Sequence, residues 1–441
     1  MKMMILTVLV FAASLAGATH LRSGYITIKR LAPGSTTCQV TLTVYVNTGS
    51  EIRFGDGILS FGDGESVTTP QQEATIRPDL GPNVGKVTFT TTHTYPSAGG
   101  YLISYEEPNR NAGIINLPNS VETRFYVELF VNLSVETLPG MRFVAPAVFK
   151  ASREDSFSLG LGVADSSDFR YQYALVHPKA SLLQTAPGYQ IPAGVSVNPF
   201  NGQFTWAIEP NALPAAGEYA FAVRIDAIDA NNQLAASLLF DFQIILVDGG
   251  SGGRTYDKGN LDEKGRLYTS AKDSVKIVFE SDQPQWTMSA YVDLPEWMVS
   301  MTTKDSAASG KYYKVNWLRF KNVEEARRNN PYVIVVRATS SGLGTQGVRD
   351  ASYLFFTRDV NYAGIITSLE PMAGKVKIFP NPFHKFLNVD LTQDQQVTIL
   401  KVNGERVRTM RTEKGMLDLG DLSPGMYLVQ VNGRIYRVVK N

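Results

Sequence analysis

The sequence predicts an all-β protein made of several β-sandwiches in series. Three observations lead there. Apolar residues recur with period two, as in Val40, Leu42, Val44 and Val46, or Phe125, Val127, Leu129 and Val131, which lines one face of a strand. Clusters of Gly, Pro and Asn separate these runs and mark turns. Gly, Thr, Ser, Val and Tyr are plentiful, whereas the Ala, Glu, Lys and Leu runs of long helices are scarce.

At 441 residues the chain is long enough for three or four domains with cores of their own. Lys and Arg number 42 against 41 Asp and Glu, so no long-range field would gather nucleic acid, and none is expected as a partner. Lys2, the apolar stretch Met3 to Leu15 and the small residues Ala16-Gly17-Ala18 have the order of a secretory signal peptide over 1–18. The stretch is shorter than a membrane anchor needs. Cys38 is the single cysteine, so the exported chain forms no intramolecular disulfide and its cores must hold by packing. Its place in an alternating run makes it a buried strand residue.

The first unit is expected over 19–140. It contains Phe61-Gly62-Asp63-Gly64, an upstream copy Phe54-Gly55-Asp56-Gly57, and His93-Thr94-Tyr95 with Gly99-Gly100-Tyr101. This pairing of turn and strand resembles the polycystic-kidney-disease (PKD) type of immunoglobulin-like module, which implies a structural place for His93. The opening Thr19 to Thr27 is similar to the first module of large surface proteins of gliding bacteria. The second unit, 145–248, holds Val195-Ser196-Val197, the turn residues Asn201-Gly202 and the alternating run Gly217 to Val223. A tight hairpin demands positive φ, which Asn-Gly supplies. The order resembles the immunoglobulin-type, cadherin-like repeat.

Gly249 to Gly253 has no side chains to pack and is expected to be a linker over 249–253. The third immunoglobulin-like unit is expected over 254–360, with strands at 274–279 and 332–337 and one or two helical turns at 323–328. Trp286, Trp297 and Trp317 all fall in it. They either pack in the core or line a sugar-binding face, and an exposed row of the three would favour sugar.

After a second linker, 361–374, the unit 375–441 carries Pro380 and Pro382, then Leu422, Gly425 and Tyr427 in the spacing Leu-x-x-Gly-x-Tyr, and finally Arg437 and Lys440. Asn403-Gly404 and Asn432-Gly433 mark hairpins, so a small antiparallel sandwich follows from the residues alone. This order resembles the C-terminal sorting domain of type IX secretion. The resemblance implies recognition by the outer-membrane translocon and removal by a sortase-like transpeptidase, with delivery to the cell surface or extracellular space. A displayed address of this kind is expected to show short turns and a basic end.

Chemistry is sparse. His20, His93, His177 and His384 lie in different units with no second His or Cys nearby, which supports neither zinc nor a Ser-His-Asp triad. Glu106-Glu107 and Glu154-Asp155 are neighbours on strands, point to opposite faces and are expected to be solvated. No enzyme and no cofactor are expected. The oxygen-rich Asp226, Asp229 and Asn232 are either calcium ligands near a strand end or ordinary hairpin residues, and Asp56 and Asp63 are weaker candidates of the same kind. The expected function is a non-enzymatic surface or secreted protein delivered by type IX secretion, acting in adhesion or gliding-related attachment to a polysaccharide or protein ligand. The alternative is a carbohydrate-binding or accessory protein that uses the third unit.

Overall fold

The structure is a computed structural model. It describes residues 20–50, 53–78, 80–143, 146–154, 156–165, 167–231, 233–248, 254–257, 266–268, 274–281, 286–292, 299–320, 332–340, 348–356, 378–379, 383–389, 396–401, 406–412, 415–431 and 434–440. The signal peptide, both linkers, the helical turns at 323–328, Trp297, Asn232, Pro380, Pro382, Asp155 and the Asn-Gly turns at 403–404 and 432–433 lie outside them.

The described residues are strands joined by turns, with one short 3₁₀ turn at Ser120–Glu122. The fold is all-β, with the antiparallel sheets of immunoglobulin-like sandwiches. In the N-terminal unit the strands are β1 (Leu21–Arg30), β2 (Thr37–Asn47), β3 (Ile58–Ser60), β4 (Ser66–Thr68), β5 (Thr75–Ile76), β6 (Val84–Thr94), β7 (Gly100–Glu107) and β8 (Phe125–Asn132). The next unit has β9 (Arg142–Phe143), β10 (Val148–Ser152), β11 (Phe157–Gly160), β12 (Val163–Ala164), β13 (Arg170–Val176), β14 (Val195–Val197), β15 (Gln203–Trp206), β16 (Gly217–Ile228) and β17 (Leu234–Val247).

These two units share a sheet, although their sequences read as successive modules. Strand β17 pairs along its length with β16, and its other edge meets three strands in turn: β8 through Ala236 to Leu238, β1 at Asp241, and β10 from Gln243 onward. The apolar core is likewise continuous, from Leu21 and Val44 through Phe125 to Phe204, Phe221 and Phe242. Alternation explains this: β17 is buried on both faces from Leu238 to Ile244, so it needs cover from each unit.

The turns form where the residues demand them. Gly202 has φ +70° between β14 and β15, and the Asn201 side chain accepts from the Gln203 amide at 3.0 Å. Cys38 is buried in β2. Glu107, expected in solvent, is buried instead; the Tyr105 hydroxyl donates to it and His20 Nε2 lies 3.0 Å from its carboxylate. Its neighbour Glu106 points outward, 3.5 Å from Arg124.

The third unit has β18 (Arg254–Asp257), β19 (Arg266–Tyr268), β20 (Ser274–Ser281), β21 (Trp286–Val292), β22 (Val299–Ala308), β23 (Lys311–Phe320), β24 (Tyr332–Ser340) and β25 (Val348–Phe356). They form two four-stranded sheets, β18-β20-β23-β22 and β19-β25-β24-β21. The C-terminal unit has β26 (Ile378–Phe379), β27 (Phe386–Val389), β28 (Gln396–Lys401), β29 (Arg406–Arg411), β30 (Met416–Asp418), β31 (Gly425–Val431) and β32 (Arg434–Lys440). Its sheets are β26-β27-β30 and β29-β28-β31-β32, around a core that includes Phe383, Leu387, Ile399, Leu417, Val429 and Val438.

Candidate functional site

In the C-terminal unit two of the motif residues, Gly425 and Lys440, stand together. Gly425 opens β31 with φ +153°, a conformation that L side chains resist. In the β31–β32 ladder it stands opposite Lys440. Lys440 in turn makes a parallel bridge to Phe383, the residue after Pro382. The Lys440 ammonium donates to the His384 carbonyl and lies 5.6 Å from the centroid of the Phe383 ring. Lys440, one of the two basic residues of the C-terminal end, is therefore folded inward and only 7% exposed. A buried ammonium needs such partners, and the carbonyl and ring supply them.

Tyr427 is buried, and its hydroxyl donates to the Ser423 carbonyl at 2.8 Å. Leu422 is half-buried against the core, and its amide donates to the Leu419 carbonyl at 3.2 Å. Ser423, Pro424 and Gly425 are exposed, so the outward part of the motif is this turn. Asp421, also exposed, is ion-paired with Arg408, which holds its carboxyl below the usual carboxylate range. Arg437 lies on β32 opposite Leu428. Sequence reading singled out Lys440 but not its partners Phe383 and His384; the apolar residue directly after the Pro-x-Pro segment was the available signal.

The tyrosine device recurs. Tyr101 donates to the Ser97 carbonyl at 2.8 Å and Tyr219 to the Ala215 carbonyl at 3.0 Å, each four residues upstream, as Tyr427 does. Each is the Tyr of a Gly-x-Tyr segment and pins the turn that opens a strand, the role of a tyrosine corner. Tyr427 is thus a fold residue of the motif.

Other candidate groups are taken up by the fold. His93 Nε2 is 2.6 Å from Asp63, with the Phe61 ring stacked on the imidazole at 3.9 Å, all buried or nearly so. Asp56 accepts from the Gln71 amide nitrogen at 3.0 Å. Asp226 accepts from the Ser237 hydroxyl at 2.6 Å and from Arg224 Nε at 3.2 Å. Asp229 accepts from the amides of Asn231 and Gln233 at 2.9 and 2.7 Å, the hydrogen bonding of a hairpin turn between β16 and β17. Among the described residues no group of three or more His, Cys, Asp or Glu stands where it would hold a metal ion. No helix there is long and apolar enough to cross a membrane.

Residues 377–441 match the family model described as the secretion system C-terminal sorting domain. That segment is a type IX secretion sorting domain, and the chain is a cargo of that system, which interacts with its machinery and is exported to the cell surface or extracellular space. No curated protein matches the chain. Among solved structures, a crystal structure of a chicken TCR is similar at 11% identity, covering 48% of this chain and 99% of that one, with a TM-score of 0.18, too low to bear on fold or function.

Proposed function

We propose that the protein is a non-enzymatic attachment protein: the β-modules ahead of the sorting domain serve in adhesion or gliding-related contact at the cell surface. The observation that carries this is the sorting domain behind modules in which the buried charged pairs His93–Asp63 and Arg110–Asp241 are taken up within the fold. In this reading 1–18 is a cleaved leader, the sorting domain docks on the translocon, and a sortase-like transpeptidase removes it. The Asp63–His93 pair supports a PKD-type reading of the first unit, and the Gly202 turn followed by the Gly217 strand supports a cadherin-like reading of the second. The carboxylates of Asp226 and Asp229 already have protein donors, which favours a hairpin that needs no calcium.

The test is deletion of residues 376–441 in cells carrying the secretion system. The expected result is retention in the periplasm. Surface delivery of the truncated protein would overturn the sorting reading, and unchanged surface attachment of cells lacking the protein would overturn the adhesive one. Chelator is expected to leave thermal stability unchanged.

A further inference from the structure

Trp286 and Trp317, for which the sequence left core packing or a sugar-binding face open, lie on different sheets: Trp286 on β21 and Trp317 on β23. Trp317 has another companion. Along β23, Tyr313, Val315 and Trp317 fall on one face, because alternate residues of a strand share a side. The other face is the core side, where Leu318 is buried and Phe279 on β20 packs against Met288 of the second sheet. Tyr313 and Trp317 are half-buried on the outer face, four residues or about 13 Å apart along the strand.

The strands on either side give this row a charge. Trp317 stands between Lys276 and Thr302 in register, and Tyr313 between Glu280 and Ser306. Lys276 is exposed, with its ammonium 5.8 Å from the Trp317 ring centroid. Lys304, midway along the edge strand β22, is exposed on the same face. The acid of that face, Glu280, has Lys311 at 3.7 Å, and Asp305 is turned to the other face, where Lys314 holds it at 2.8 Å. Lys276, Lys304 and Arg319, which is exposed on the same face of β23 between Ser274 and Ser300, therefore leave the described outer face with a net positive charge. Ser309 and Gly310, with φ +52° and +73°, close the β22–β23 hairpin in the turn geometry that fixes register, so the face is preformed.

We propose that the outer face of β20-β23-β22 binds an acidic polysaccharide, with Trp317 and Tyr313 stacking on sugar rings, Lys276 and Lys304 pairing with carboxylates, and the Thr302 and Ser306 hydroxyls meeting ring oxygens. The proposal rests on the attachment reading and names its partner. Aromatic rings give sugars flat contact area at small entropic cost, and lysines select the acidic polymer over a neutral one.

The experiment uses purified full-length protein with polygalacturonate as probe and dextran as the neutral comparison, by affinity electrophoresis and calorimetry. Binding to polygalacturonate alone is expected, weakening as salt is raised. Trp317→Ala is expected to lose about tenfold or more in affinity. Lys304→Gln is expected to lose several-fold and to flatten the salt dependence, whereas Lys29→Gln, on exposed β1 backbone far along the chain, changes nothing. No binding, equal binding to dextran, or full affinity in Lys304→Gln would each overturn the proposal; the lysine variant decides should the tryptophan variant fail to fold. Cells displaying Lys304→Gln are compared on coated and bare surfaces. Adhesion that persists without polygalacturonate binding removes this ligand and leaves the attachment reading standing.

Discussion

The N-terminal body of residues 21–247 and the sorting domain are both β-sandwich structures, yet they fix their strands in opposite ways. The large body locks distant segments with wholly buried charge. Arg110 makes two parallel hydrogen bonds to Asp241, at 3.0 and 2.6 Å, with both side chains fully enclosed and Phe125 5.0 Å below the guanidinium. Burial pushes the Asp241 carboxyl up and the Arg110 guanidinium offsets that. Nearby, Asn111 bridges Gln243 and Glu218, and Arg22 pairs with Glu218, so the segment after β7 is tied to β16 and β17. The sorting domain has a smaller core and instead joins its two ends through Lys440, a single cation on a carbonyl and a ring. A large sheet can bury an ion pair to specify which strands meet; a small one must keep such costs low and satisfies the buried Lys440 with backbone.

The sharpest break in this contrast is Asp241→Ala, which leaves the Arg110 charge buried without its partner and is expected to cost about 3–5 kcal/mol. Urea unfolding would measure it, and the double variant Arg110→Met with Asp241→Leu should recover most of the loss. Lys440→Met keeps the stem and removes the charge; the sorting domain is expected to lose about 1.5–3 kcal/mol, read from its own unfolding transition, with surface delivery falling in step. Delivery lost at full stability would show instead that the charge is read directly. Tyr427→Phe, Tyr219→Phe and Tyr101→Phe test the device the two regions share, and each is expected to cost about 1 kcal/mol in the region that holds it. Asp421→Asn is the smallest. Because Arg408 lowers the folded-state pKa of Asp421, its contribution is present above the ordinary Asp value and is lost as pH falls through the lowered one. The difference in melting temperature between Asp421→Asn and the parent should therefore be slight near neutrality and vanish in acid.

What the sequence made legible was local. Period-two runs gave the strands, the Gly-x-Tyr segments coincide with the three tyrosine corners, and Asn201-Gly202 forms its turn, since each depends on residues a few positions apart. The motif of the C-terminal unit was equally readable. Pairing across long stretches was not. Nothing in the order of residues near 140 says that β17 will pair with β1 and β8 as well as β16, because every fully apolar strand offers the same edge. Glu107 looked like a surface acid because its partners His20 and Tyr105 reach it only through the fold. The same limit holds for the tryptophans: alternation assigns a face to each residue but no sheet to each strand, and the fold puts Trp286 on β21 and Trp317 on β23.

The position of β17 also sets the order of events in folding. Strand β1 has Asp241 opposite Gly24, more than two hundred residues away in the chain, so an emerging chain carries an incomplete sheet until β17 has followed it. Closing so long a loop delays the reward of contact, which makes assembly slow relative to a chain of independent modules. Residues 21–247 are then expected to fold and unfold as one cooperative body, and an exported cargo whose first strand waits for its last has reason to depend on chaperoning before it reaches the outer membrane.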